Sequence, residues 1–190
     1  MKEKGKEKLV QGDWLNLPFP EDSFDVILGD LVTDNIPYED QPTFFKEIRR
    51  CLKPYGYWIT RIFYQPNNWK EDIGSGIKRI AQLPDNENRH TELLFFLLYS
   101  FYDYKKKAFF LSRALKFIGE CRKKEVDIHT KQLFDRITKL WGKATDKIWY
   151  APTKSERIAS IQEYFSIEEE EHTHECLFSE HLPTLLCRPR

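Results

Sequence analysis

The sequence predicts an α/β fold: a mostly parallel sheet ending in a C-terminal antiparallel strand pair, with a helical insertion between the two parts. Three observations carry this expectation. Residues 24–29 form an apolar run, residues 57–63 alternate, and between them Phe45, Ile48 and Leu52 make one helical stripe, a strand–helix–strand pattern. From Pro66 to Pro152 the chain becomes aromatic and lysine-rich, with few strand signals. Thr153-Lys-Ser-Glu156 then has the form of a capping box, and two more strand patterns follow it.

Each element has its own local reason. Residues 9–13 read as a short strand, and the proline-punctuated stretch 17–23 as a loop. The apolar run 24–29 is broken only by Asp25, the pattern of a strand buried in a parallel sheet. Pro42 suits the first turn of the next helix, where its missing N–H is not needed. Lys53-Pro-Tyr-Gly56 ends that helix, and residues 57–63 form the following strand. The insertion, residues 68–150 of a single domain covering 1–190, is expected to hold helices at 90–102, 108–122 and 130–141, with Phe95, Phe96 and Leu98 buried. A helix over 154–164 buries Ile158 and Ile161, and strands at 165–174 and 183–189 pair antiparallel.

Composition excludes several classes. With 41% hydrophobic and 32% charged residues, the chain is neither disordered nor a membrane domain. Its formal net charge is zero, so no global field recruits nucleic acid. The apolar run 93–102 is half the ~20 residues a membrane-spanning helix needs, and reads as a buried helix. The four cysteines have no pair spacing, and Met1-Lys-Glu-Lys is followed by no apolar region, which together predict free thiols in the cytoplasm.

In open α/β sheets ligands bind outside the carboxyl ends of the strands. Asp13 and Asp30 each end an expected parallel strand, so both should face that crevice. Two other motifs carry less. Asp72-Ile-Gly-Ser-Gly76 looks like the start of a glycine-rich phosphate or cofactor loop, but no buried strand precedes it. His172, His174 and Cys176 lack the second ligand pair that zinc requires, so no metal site is expected.

Gly12-Asp-Trp-Leu-Asn-Leu-Pro-Phe-Pro-Glu-Asp-Ser-Phe-Asp-Val-Ile-Leu-Gly-Asp30, followed by Phe45-Lys-Glu-Ile-Arg-Arg-Cys-Leu-Lys-Pro-Tyr-Gly-Tyr-Trp-Ile-Thr60, resembles the middle of a class I S-adenosylmethionine-dependent methyltransferase. The likeness is to the Rossmann-like, methyltransferase type 11-like group. It implies a partial Rossmann-like methyltransferase sheet and S-adenosylmethionine as cofactor. By that resemblance Asp13 accepts a hydrogen bond from the adenine amino group with Trp14 beside the ring, while Asp30 and Leu31 lie next to the methionine part. Small Gly29 allows close backbone approach there, and Asp25 fixes a loop turn. Asp34 and Asn35, where relatives often carry two histidines, and Tyr38 fall on the substrate side. The helical insertion corresponds to a cap over the substrate pocket. Tyr55 stands where the family has the first glycine of its Pro-Gly-Gly turn, which shifts the turn by one residue.

The family's glycine-rich cofactor loop lies upstream of this stretch, and residues 2–8 resemble the end of the helix before the Gly-Asp strand. The resemblance therefore implies an incomplete form of the domain, one that binds S-adenosylmethionine weakly or not at all. Residues 9–13 are left to pair with 24–29, stay unpaired, or borrow a second chain, the last giving a homodimer through an exposed sheet edge. The function expected is methyl transfer to a small-molecule acceptor, with no general base assigned. The alternative is a non-catalytic methyltransferase-like remnant acting as a protein-interaction module.

Overall fold

The structure is a computed structural model that describes residues 8–66, 69–83, 89–172 and 178–190. Strand β1 (Phe24–Asp30) leads through a short turn into helix α1 (Gln41–Cys51), which carries Pro42 in its first turn and buries Phe44, Phe45 and Ile48. Strand β2 (Leu52–Arg61) follows without a break and pairs parallel to β1, from Val26 opposite Tyr57 to Asp30 opposite Arg61. The register shifts between Phe24 and Val26, so Lys53-Pro-Tyr-Gly56 is taken up as an irregularity within β2. Lys53 Nζ bonds Asp25 Oδ1 at 2.8 Å there, tying the start of β1 to the bulged stretch.

The helical region comprises α2 (Ile73–Ala81), α3 (Arg89–Ser100), α4 (Leu111–Cys121) and α5 (Ile128–Trp141). It also contains a two-stranded antiparallel ribbon, β3 (Ala108–Phe110) with β4 (Ile148–Tyr150), which the expected helix over 108–122 did not foresee. Helix α6 (Lys154–Gln162) opens with the capping box, in which Thr153 and Glu156 satisfy each other's backbone N–H groups. Strands β5 (Phe165–Glu171) and β6 (Thr184–Pro189) close the chain as the expected antiparallel pair.

Two expectations are corrected. The sheet runs β1–β2–β6–β5 and is mixed rather than mostly parallel: β1–β2 is parallel, β2–β6 and β6–β5 are antiparallel. Residues 9–13 do not form a strand; Asp13 makes only an isolated bridge to Asn16, and Leu9 is 91% exposed. The physical reason lies in the next loop. Arg50 of α1 donates to the carbonyls of Phe19 and Leu17 at 2.7 and 3.1 Å, and Glu47 accepts from the Leu17 N–H at 2.9 Å. That anchor holds the incoming chain against α1, away from the free edge of β1. With no neighbour on that edge among the described residues, β1 is not the fully buried strand its apolar run suggested, and Val26 and Leu28 are 47% and 74% exposed.

Two cores result. One lies between the sheet and the helices α1 and α6, where Trp58 packs against Phe44, Phe45 and Phe165 with ring centroids 6.0, 5.8 and 5.1 Å away. The other belongs to the helical region and reaches the sheet through Phe63, two residues past β2, which meets Phe95 at 5.7 Å and Phe109 at 5.3 Å. Residues of the helical region thus lie beside the carboxyl end of β1 and the segment that follows β2. Phe96 and Leu98 are fully buried, whereas Phe95 is only half-buried. Gly74 and Gly76 sit inside α2, not in a ligand loop. A Cβ on Gly76 would lie 2.1 Å from Phe96 Cζ, so this glycine lets α2 and α3 approach closely.

Candidate active site

At the end of β1 the chain turns sharply. Leu31 adopts φ +56°, a left-handed conformation costing an L-residue about 1–2 kcal/mol. Two hydrogen bonds hold it: its N–H donates to the Arg61 carbonyl at 2.9 Å, and its own carbonyl accepts from the Asn35 side-chain amide. Asp30 beside it is clasped by Arg61, Nε to Oδ1 and Nη2 to Oδ2 both at 2.8 Å, so its two oxygens already have partners. A non-glycine residue held in this region is a marker of functional sites.

Leu31 borders a cavity of about 320 Å³. On the sheet side its wall is formed by Asp30, Leu31, Asn35 and Phe63; from the helical region come Thr91, Leu94, Phe95, Trp141, Lys147 and Trp149. Phe95 is half-buried because it faces this space. Trp141 and Trp149 meet edge to face, 5.8 Å between centroids, and Lys147 Nζ lies 5.6 Å from the Trp149 ring centre. Desolvation holds the Lys147 ammonium below its ordinary pKa, with Asp146 acting weakly the other way.

A second, more open hollow of about 460 Å³ adjoins it and is lined by Gly12, Asp13, Trp14, Leu15, Asn35, Ile36 and Pro37. Asn35 borders both spaces. Asp13 Oδ1 accepts from the Leu15 N–H at 2.9 Å, which shapes the 13–16 turn, and Oδ2 takes no hydrogen bond among the described residues. Trp14 leaves 45% of its surface exposed at the same place. A free carboxylate oxygen beside an open indole suits a flat ring bearing an amino group. Asp30, though clasped by Arg61, keeps 68% of its side chain exposed and can still accept further hydrogen bonds.

The structure separates the remaining sequence-predicted residues. Asp34 is no exposed loop acid; it is fully buried and bonds Arg157 Nη2 at 2.7 Å and the Phe63 N–H at 3.1 Å. Burial raises its carboxyl pKa to about 7, against the pull of Arg157. The same guanidinium donates to Gln41 Oε1 at 3.0 Å and to the Tyr150 carbonyl at 2.6 Å. This network fastens the 33–35 turn, α1, β4 and α6 to one another, so Asp34 shapes the cavity wall from behind. Tyr38 lines a different cleft, of about 300 Å³ between α1 and α6, and donates to the Lys107 carbonyl at 2.6 Å. His172 bonds Glu170 at 2.9 Å, while His174, Cys176 and residues 2–7 lie outside the described residues. Among the described residues no helix is long and apolar enough to cross a membrane. Sequence reasoning missed Lys147, Trp149, Thr91 and Arg157. No local pattern marks them, because their significance comes from contacts with distant segments.

A protein-family model described as a methyltransferase domain matches residues 1–60. Sterol 24-C-methyltransferase ERG6B of Gibberella zeae is 30% identical over 90 residues, 41% of this chain and 23% of that protein. A demethylmenaquinone methyltransferase of Geobacillus kaustophilus is 37% identical over 62 residues, 33% of this chain and 26% of that protein. The match thus spans about a quarter of the length of these curated relatives. Among solved structures, a methyltransferase of Methanosarcina mazei aligns over 94% of this chain and 65% of its own, with TM-score 0.48 and 16% identity. The PH0226 protein of Pyrococcus horikoshii aligns over 94% and 57%, with TM-score 0.48 and 15% identity. Residues 1–60 of this chain are thus similar to methyltransferase domains.

Proposed function

We propose that this chain forms the acceptor side of an S-adenosylmethionine-dependent methyltransferase, with residues 68–150 as a lid inserted in the domain and a small molecule as acceptor. The observation that supports the reading is that two spaces share Asn35: the Asp13–Trp14 hollow, and the cavity bordered by Asp30, Leu31 and residues of the helical region. The cofactor would supply an electrophilic methyl group on a sulfonium. The chain's own part is to place the acceptor and keep water away, which is most of what an in-line methyl transfer asks of a protein. Asp13 and Trp14 would hold the adenine end, and the fixed turn at Leu31 would set the distance between cofactor and acceptor. Tritiated S-adenosylmethionine incubated with this chain and small-molecule extracts tests it. Label transfer that is lost in Asp13→Ala supports the reading, and calorimetric silence toward S-adenosylhomocysteine, with no transfer, refutes it for this polypeptide.

A second reading rests on the free edge of β1. Val26, Leu28 and Trp14 border an open apolar groove of about 280 Å³ along that strand. Unpaired edges with exposed apolar side chains recruit strands from other chains. In this reading the protein is a non-catalytic interaction module, self-association included. Sedimentation at increasing concentration separates the two: association abolished by Leu28→Lys favours the module, and a monomer throughout removes its support.

A further inference from the structure

The cavity under the lid has a composition that selects its occupant. Phe63, Phe95, Trp141 and Trp149 supply aromatic walls, which bind flat apolar groups by stacking and area burial. Lys147 is the cation on that wall whose charge is unmatched: Arg61, next to Asp30, is already paired with it, whereas Lys147 Nζ makes no ion pair among the described residues. Lys147 Nζ lies over the Trp149 ring, 5.6 Å from its centre. Its backbone is fixed at both ends of the residue, N–H to the Ala144 carbonyl at 3.0 Å and carbonyl to the Leu111 N–H at 3.1 Å. A half-buried ammonium on a fixed backbone, with an aromatic face beside it and no ion pair among the described residues, is a ready partner for an anion.

We infer that the lid cavity binds an aromatic acceptor carrying one acidic group, with the ring between Phe95 and the Trp141–Trp149 pair and the acid on Lys147. The opposite end of such a ligand reaches Asp30, Leu31 and Asn35, where the proposed methyl donor would meet it. The partial desolvation that lowers the Lys147 pKa also strengthens its pairing with an acid, because the local dielectric is low. This inference rests on the methyltransferase reading for its name of acceptor, but the binding it asserts does not need the cofactor.

The test uses the whole chain, 3-phenylpropionate as probe, and 3-phenylpropionamide as its uncharged match, compared by isothermal titration calorimetry at pH 7. The acid should bind at least about tenfold more tightly than the amide, the size of one charge-assisted hydrogen bond. Lys147→Met should erase that preference and leave amide binding unchanged, and Lys147→Arg should keep it. Circular dichroism verifies that both variants are folded. Equal affinity for the two probes, or a preference that survives Lys147→Met, overturns the inference. If S-adenosylhomocysteine binds and the acid shows no preference, only the acceptor class is wrong. If the acid binds as expected and S-adenosylhomocysteine does not, the site stands and the methyltransferase reading of this polypeptide falls.

Discussion

Replacing Arg157 with methionine should be among the most destabilising single changes in this protein, and its cost should grow with pH. Arg157 and Asp34 are both fully buried, with the guanidinium 2.7 Å from Asp34 Oδ1. Methionine keeps much of the volume but removes the bonds to Asp34, Gln41 and the Tyr150 carbonyl. Breaking a buried ion pair from one side costs about 3–5 kcal/mol, because the remaining charge is stranded. The double variant Asp34→Asn/Arg157→Met strands no charge, so its cost should fall short of the sum of the singles by about 1–3 kcal/mol.

The pH dependence follows from the direction of the Asp34 shift. Its carboxyl is raised by burial from 3.8 to about 7 in the folded chain, with Arg157 holding it down. Between those values the folded chain keeps a proton that the unfolded chain releases, so this group's contribution to stability is full at low pH and falls as pH rises toward 7. In the wild type the fall ends once Asp34 ionises against Arg157. In Arg157→Met only backbone N–H groups such as that of Phe63 still favour ionisation, so the fall continues to higher pH at up to about 1.4 kcal/mol per pH unit. Urea unfolding followed by tryptophan fluorescence at pH 5, 7 and 8 measures the gap between the two proteins. Groups common to both cancel in that difference. A deficit under about 1 kcal/mol, or one that is flat across the range, would refute the assignment of Asp34 and Arg157 as a coupled buried pair.

Two further changes probe the scaffold. Gly76→Ala should lower stability by about 1–3 kcal/mol through overpacking against Phe96, and Phe96→Leu in the same chain should recover part of it, both read from thermal melts. Thr153→Ala removes the hydroxyl that accepts from the Glu156 N–H and should cost about 1 kcal/mol in chemical denaturation, with Thr153→Ser nearly neutral.

What could be read in advance was what short-range pattern encodes. The β1–α1–β2 unit, the capping box and the final strand pair each repeat a period or a local motif, and all are present, while of the helical stripe Phe45 and Ile48 lie in α1 and Leu52 opens β2. Within the candidate site, Asp13, Trp14, Asp30, Leu31 and Asn35 border the two joined spaces. Asp34 and Tyr38 do not, although they lie in the same loop. A carboxylate between Thr33 and Asn35 looks solvated in sequence, and nothing near it shows that an arginine 123 residues away reaches its oxygen. Lys147 was one lysine among many for the same reason. The β3–β4 ribbon joins segments about forty residues apart, and neither is long enough to announce a strand.

The stretch 9–13 shows where periodicity stops being informative. Its sequence is compatible with a strand, but extended backbone becomes a strand only when a neighbour accepts its hydrogen bonds, and that condition is absent from the residues themselves. Among the described residues the outer edge of β1 is unpaired as well, and residues 9–13 do not pair with it. The Arg50 and Glu47 contacts instead fix the 17–19 loop on α1. Those contacts also hold Asp13 and Trp14 beside Asn35. The interactions that deny residues 9–13 a place in the sheet are therefore the ones that bring the Asp13 carboxylate to the candidate site.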